Sequence, residues 1–289
     1  MKHNIEGSSA DGPRGPGGPG GPGEDRYAAG QDLTRWKTVP GRIAARVVHR
    51  ISVLLGPHAA LVITLVIGAL AALGLTAASA EIYEAVTEGD GVAALDHPLL
   101  GTAVSLRSPV LDSVVTAYTN IGGPIGMPIL AGSIMVVLAL RRRSWMPVLL
   151  MVSAAAGSLL MTIAGKQFIG RSRPPLNEAV PPYEYSASFP SGHSLNAVVI
   201  AGIVAYLLLL RQNSRRAGII TITCAAVFAF TMGVSRVFLG HHWFTDVLVA
   251  WTLGAAWLAL VITAHRLYLT SRHREQPGAL KDSPEGTSP

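Results

Sequence analysis

One cysteine, Cys224, is the entire thiol content of this 289-residue chain. A lone thiol can close no intrachain disulfide and can build no cysteine-based metal site. Charge is also scarce. Asp, Glu, Lys and Arg make up 14% of the residues, where a soluble domain carries about 25%. Aromatics are sparse at 6%, and no basic stripe with interleaved aromatics is present. The net charge of +6 therefore does not read as a nucleic-acid surface. An apolar stretch is missing from the first ~50 residues, so a cleavable signal peptide is not expected there.

What the chain does have is apolar length. Hydrophobic residues make up 49% of it, and several runs approach the ~20 residues needed to cross a ~30 Å hydrocarbon core. The expected fold class is all-α and integral to the membrane, with six transmembrane helices. The spans are expected at about 53–79, 110–140, 145–166, 192–211, 217–235 and 243–264. Gly122, Gly123, Pro124 and Pro128 interrupt the second, so its crossing part is expected nearer ~121–140 with ~110–120 as a lead-in. Residues 1–45 read as a disordered Gly/Pro-rich tail, 46–268 as the membrane domain, and 269–289 as a second polar tail.

Basic residues set the expected orientation. Arg42, Arg46 and Arg50 precede the first span, and Arg141, Arg142 and Arg143 separate the second from the third. Arg211, Arg215 and Arg216 separate the fourth from the fifth, and Arg266, Arg272 and Arg274 follow the sixth. All four clusters fall on one side, which the positive-inside rule makes cytoplasmic, with both termini there. Glu81, Glu84, Glu88, Asp90 and Asp96 suit the opposite side. The chain reads as a multi-pass protein of the cell membrane, surrounded by membrane lipids.

Three polar stretches then fall together on the outer face: Lys166 to Arg173-Pro174, Pro190 to His193, and Ser235-Arg236 through His242 to Asp246. Ionisable groups at a membrane boundary are costly unless they serve a site. Lys166, Arg173 and Arg236 supply three cations suited to phosphate oxygens. Ser191 and Gly192 sit where the fourth span begins, and a helix start offers free amides to an anion. Ser191 can act there as an N-cap, as a phosphate ligand, or as both.

His242 and Asp246 are four apart on a helix start, so they share a face. Asp246 can then orient one ring nitrogen and leave the other to attack phosphorus. His241 has Thr245 as its i+4 partner instead, which favours His242 as nucleophile. His193 comes from another helix end and is suited to protonate the leaving oxygen. The two histidines and Asp246 could also be read as metal ligands, but three neighbouring cations oppose a divalent ion. No metal or other cofactor is expected.

Several nearby residues have plainer readings. Lys166, taken alone, reads as a membrane-end lysine whose charge snorkels to the interface, and Arg171, which fills no slot in the pattern, reads the same way. His58 and His97 read as interfacial or loop histidines. Trp145, Trp243 and Tyr183 read as interface-belt aromatics. Glu178 and Glu184 lie in the same loop as Tyr183, where they either shape substrate choice or are merely solvated.

These stretches, read as KQFIGRSRP from Lys166, PSGH from Pro190 and SRVFLGHHWFTD from Ser235, resemble the type 2 phosphatidic acid phosphatase (PAP2) superfamily. Its pattern is Lys, six residues, Arg-Pro; Pro-Ser-Gly-His; then Ser-Arg, five residues, His, three residues, Asp. The resemblance extends over about residues 50–265 and departs at no defining position. It implies a helical core shared with acid phosphatases and vanadium haloperoxidases.

The resemblance also implies a metal-independent phosphatase acting on a lipid phosphate. His242 would form a phosphohistidine, oriented by Asp246, and His193 would serve as acid and then base. Lys166, Arg173, Ser191, Gly192 and Arg236 would bind the phosphate. Family analogy favours an undecaprenyl-type polyprenyl pyrophosphate, followed by phosphatidylglycerol phosphate or phosphatidate. The rival readings are a lipid phosphotransferase and a non-catalytic membrane binding protein or transporter.

Overall fold

The structure is a computed structural model. It describes residues 27–28, 31–33, 39–56, 62–66, 68, 70, 74, 91–212 and 214–275. The expected tails lie mostly outside these residues, as does much of the expected first span, of which 53–55, 62–66, 68, 70 and 74 are helical. A two-residue antiparallel pair, β1 (Tyr27–Ala28) with β2 (Gln31–Asp32), precedes the helices.

Eight α-helices follow among the described elements: α1 (Val39–Leu55), α2 (Asp96–Ser105), α3 (Pro109–Ile121), α4 (Gly126–Arg142), α5 (Met146–Ile169), α6 (Gly192–Leu209), α7 (Arg215–Phe238) and α8 (Phe244–Glu275). Helices α5, α6, α7 and α8 are each long and apolar enough to cross a membrane. Helices α3 and α4 make a fifth crossing if counted as one span bent by 46°. The expected interruption of the second span is this bend. Ser108 caps α3 by accepting from Leu111 N at 3.3 Å, with Pro109 next in the chain.

Two parts of the fold differ from expectation. Helix α1 starts at Val39, inside the expected tail, because its sequence is amphipathic. Ala45, Val48 and Ser52 are buried on one face, while Arg42, Arg46 and Arg50 are exposed on another. Its apolar face meets Leu267 of α8. Helix α8 in turn continues to Glu275, past the expected domain end at 268. The polar residues there extend the helix because Leu267, Tyr268 and Leu269 are still buried on its inner face.

The core lies between α5, α6 and α8, around Leu150, Met161, Leu195, Ile203, Trp257 and Val261. Lipid tails are as apolar as these side chains, so close approach and shape complementarity hold such helices together. At the α5–α8 crossing, a Cβ on Gly157 would lie 2.1 Å from Trp257 Cε2. The buried Trp257 indole also donates to Ala154 O at 3.0 Å. A Cβ on Gly165 would meet Pro190 Cδ at 2.4 Å, so the loop before α6 presses against the last turns of α5.

Candidate active site

Four helix ends meet at one end of the bundle. Lys166 is in the last turn of α5, His193 in the first of α6, Arg236 in the last of α7 and Asp246 in the first of α8. The local sequence sets these ends. Gly170 closes α5 at φ 58°, a left-handed cap that suits glycine. Gly240, at φ 69°, makes the turn from α7 to the paired histidines, and a Cβ there would meet Glu178 O at 2.3 Å. Arg107 clamps that turn by donating to Glu178 O at 2.7 Å and, from Nε, to Phe238 O at 2.9 Å.

His242 lies at the centre and is 1% exposed. Arg173 Nη1 is 3.2 Å from its Nε2. A guanidinium only donates, so Nε2 carries the ring's lone pair and Nδ1 the hydrogen. Burial, followed by the Arg173 and Arg236 charges, holds this imidazole well below the usual histidine range. The ring is therefore neutral at neutral pH, with its basic nitrogen among cations.

The Nδ1 side is more elaborate than the sequence implied. Asp246 Oδ2 is 3.6 Å from Nδ1, longer than a hydrogen bond. Ser188 bridges the gap: its hydroxyl donates to Asp246 Oδ2 at 2.5 Å and lies 3.4 Å from His242 Nδ1. Trp243 N also donates to Oδ2, at 3.0 Å. Arg171 approaches Asp246 Oδ1 from the far side at 2.7 Å and pairs through Nη2 with Asp96 Oδ2 at 2.8 Å. Asp96 in turn accepts from Thr245 N at 2.9 Å and Thr245 Oγ1 at 2.7 Å.

Arg171 is thus a partly buried bridge between two buried carboxylates and not a snorkelling interface cation. Asp96, expected on an outer loop, begins α2 and is 3% exposed. The sequence carries no signal for this pairing, since 75 residues separate Asp96 from Arg171. Ser188 could have been suspected only from its nearness to the Pro190–His193 stretch.

The other rival residues have settled positions. His241 Nε2 donates to Val180 O at 2.7 Å, which pins that ring to the loop. Burial and then Arg236 lower its pKa to about 4. Trp243 donates to Ser172 O at 3.0 Å and stacks edgewise on His97, so neither is a simple interface-belt or loop residue.

The three cations converge. Arg173 is anchored to Ser186 O at 2.7 Å through Nε and to His241 O at 2.5 Å through Nη1. Lys166 donates to Ser186 Oγ at 3.1 Å and to Ala187 O. Arg236, 1% exposed, donates to Thr119 Oγ1 at 3.1 Å, and its Nε is buried without a hydrogen-bond partner. Glu184 bridges two of the cations, reaching Arg173 Nη2 at 2.8 Å and Arg236 Nη2. Burial alone would raise its carboxyl, but Arg236 and Arg173 outweigh that and hold it at about 2.

Ser191 occupies the N-cap position of α6, yet its hydroxyl makes no cap bond and pairs with Ser194 Oγ at 2.8 Å. Its backbone N–H donates to Asp246 O at 3.3 Å, tying the starts of α6 and α8 together. Gly192 opens α6 against α5, where a Cβ would lie 3.2 Å from Thr162 Cγ2. The Gly123 backbone, in the α3–α4 break, passes the His193 ring; a Cβ there would be 3.6 Å from Nε2.

No group of three or more His, Cys, Asp or Glu side chains among the described residues is arranged to hold a metal ion. The arrangement is suited to hold an anion between guanidiniums and to present it to an uncharged imidazole nitrogen.

The family model of the PAP2 superfamily matches residues 147–268, the stretch that contains all eight sequence-predicted site residues. The chain is 33% identical over 185 residues to phosphatidylglycerophosphatase B of Bacillus subtilis, covering 62% of this chain and 88% of that protein. A crystal structure of a transmembrane PAP2-type phosphatidylglycerolphosphate phosphatase from the same species superposes with a TM-score of 0.56 at 29% identity. It covers 64% of this chain and 94% of that one. A shorter match, 37% identical over 73 residues, involves only 8% of the Mycobacterium tuberculosis phthiocerol dimycocerosate exporter MmpL7.

Proposed function

This chain belongs to the PAP2 superfamily, and from that premise we propose that it is a membrane phosphatase that hydrolyses a lipid phosphate through a phosphohistidine on His242. The observation that carries the proposal is the His242 ring itself. Its Nε2 lone pair faces Arg173 at 3.2 Å, and its Nδ1 side is backed by Ser188 and Asp246.

In this mechanism Arg173, Arg236 and Lys166 hold the phosphoryl oxygens, assisted by the Ser191 hydroxyl and the Gly192 backbone N–H at the start of α6. His242 Nε2 attacks phosphorus in line with the leaving oxygen, and the bond from phosphorus to that oxygen breaks. His193 gives its proton to the departing alcohol. It then takes a proton from the water that attacks the phosphohistidine, which restores His242 and releases phosphate. Asp246 stabilises the imidazolium character that develops on His242.

The relatives' named activity favours phosphatidylglycerol phosphate as the substrate, ahead of the undecaprenyl-type pyrophosphate suggested by the wider family. The arginine clusters lie at the opposite helix ends from His242, which supports an outward-facing site with cytoplasmic termini.

The test is phosphate release by the purified full-length protein, with EDTA present, from phosphatidylglycerol phosphate, phosphatidate and undecaprenyl pyrophosphate. Release from the first, retained under chelation and lost in His242→Ala, is the expected result. Activity that needs a divalent ion, or full activity in His242→Ala, would overturn the mechanism. Transfer of phosphate only when an acceptor alcohol is added would point to the phosphotransferase.

A further inference from the structure

Glu184 is an acid in the middle of a site suited to an anion. It lies in the loop between Ala179 and Pro190, and each of its carboxylate oxygens engages a different guanidinium, Arg173 or Arg236. A phosphoryl group would need the same donors. Two anions held by one pair of guanidiniums repel each other, so the carboxylate and the phosphate are alternatives.

We propose that Glu184 is an internal competitor for the phosphate site: it holds Arg173 and Arg236 in the resting enzyme, swings out as the phosphoryl group binds, and on its return drives out the phosphate product.

Three observations support this exchange. First, the two arginines keep their positions without the carboxylate. Arg173 is fixed by Ser186 O and His241 O, and Arg236 by Thr119 Oγ1. Second, Glu184 is the partner with a way out. Its side chain is 31% exposed, against 9% for Arg173 and 1% for Arg236, and its neighbours Tyr183 and Tyr185 are both exposed.

Third, the carboxylate leaves donors and acceptors near it poorly matched. Arg236 Nε is buried without a partner, and so is His241 Nδ1, which lies 3.9 Å from Glu184 Oε1. With Nε2 donating to Val180 O, that Nδ1 presents a lone pair towards the carboxylate. Buried polar groups left unmatched are costly. A phosphate, with more oxygens and a proton of its own to donate, can match both. Glu184 also remains ionised throughout the neutral range, so competition and not protonation governs the exchange.

The inference rests on the reading that Arg173 and Arg236 receive the phosphoryl group. The experiment is titration of inorganic phosphate into the full-length protein in detergent, followed calorimetrically, for wild type, Glu184→Gln, Glu184→Asp and Arg236→Ala. Glu184→Gln should bind phosphate at least tenfold more tightly at neutral pH, and Glu184→Asp, too short to bridge both arginines, by a smaller factor. Unchanged or weaker binding in Glu184→Gln would overturn the proposal.

Wild-type protein gives a second readout that needs no variant. Saturating phosphate should speed hydrogen exchange in the loop around Glu184, whereas slower exchange there would mean that the carboxylate stays bound. Arg236→Ala separates the two levels. Undiminished phosphate binding in that variant would overturn the phosphate-site reading itself. Dependence on Arg236 with no effect of Glu184→Gln would overturn only the competition.

Discussion

Arg171 and Asp246 form an ion pair at 2.7 Å with the carboxylate fully buried. Because Arg171 also grips Asp96, the acid behind the His242 imidazole is anchored to a helix outside the family motifs. Breaking a buried pair by removing one partner leaves an uncompensated charge. Arg171→Ala should therefore lower kcat about 10- to 100-fold through misplacement of Asp246. The KM for the lipid should change little, since Arg171 contacts Asp96, Thr245 and Asp246 and not Lys166, Arg173 or Arg236. Arg171→Lys should recover part of the loss. Steady-state kinetics on thermally intact protein checks this, and a change confined to KM would contradict the positioning role.

Ser188 stands between Asp246 and His242. A hydrogen bond to a charged group contributes about 1.5–3 kcal/mol, so Ser188→Ala should reduce kcat by roughly 10- to 100-fold. Asp246 keeps Arg171 and Trp243 N as partners, so the fold should survive. Ser188→Thr, which restores a hydroxyl, should rescue more activity than Ser188→Val. Equal activities in those two variants would show that the hydroxyl is not used.

The paired histidines make a sharper comparison. His242→Ala should lose at least about three orders of magnitude in kcat and all trapped phosphoenzyme. His241→Gln keeps a donor for Val180 O and should remain within about tenfold of wild type, the cost of one weakened contact. Rapid acid quench of a radiolabelled substrate measures both. Phosphoenzyme that persists in His242→Ala but vanishes in His241→Gln would exchange their roles.

Acid should destabilise the protein over a wide range. Burial, then Arg236, lowers the pKa of His241 from 6.5 to about 4. Unfolded protein then binds the extra proton first, so stability falls as the pH drops from about 6.5 towards 4, by at most about 1.4 kcal/mol per unit. Glu184, despite burial that opposes it, is lowered from 4.5 to about 2 by Arg236 and Arg173. Its contribution is fully present above 4.5 and is lost as the pH falls towards about 2. Thermal midpoints in detergent should decline steadily below about pH 6.5. His241→Gln should flatten the upper part of that decline, and a flat wild-type profile above pH 4 would refute it.

Helix packing offers a structural test. Gly157→Ala would force a methyl group onto Trp257 at 2.1 Å. Overpacking of this kind costs about 1–3 kcal/mol, and the thermal midpoint should fall accordingly. Gly132→Ala, where a Cβ meets nothing within 4 Å, should leave the midpoint unchanged. A comparable drop in both variants would argue against specific α5–α8 packing.

The parts of this molecule legible in its sequence are those that obey a periodic or compositional rule. Helices α5 to α8 were readable because each must supply about 20 apolar residues in a row. Lys166, His193, Arg236, His242 and Asp246 were readable as a group because each sits at the end of such a run. Helix α2 is too short for that rule, and α1 is amphipathic, so neither stood out. The contacts of Asp96, Arg171 and Ser188 are tertiary, joining residues that spacing cannot relate. Ser188 and Asp246 are 58 apart in the chain. Glu184 was visible as a loop acid, but only the folded loop shows which cations it joins.

The order in which the four helix ends occur along the chain has its own consequence. Lys166, Arg173 and His193 are synthesised before Arg236, His242 follows in the turn after α7, and Asp246 comes last, in the first turn of α8. On the proposed mechanism, a nascent chain that stops short of α8 holds the cations and His242 but lacks the Asp246 carboxylate that backs that ring. The proposed nucleophile thus gains its orienting acid only when α8 has docked, so the docking of that helix completes the site.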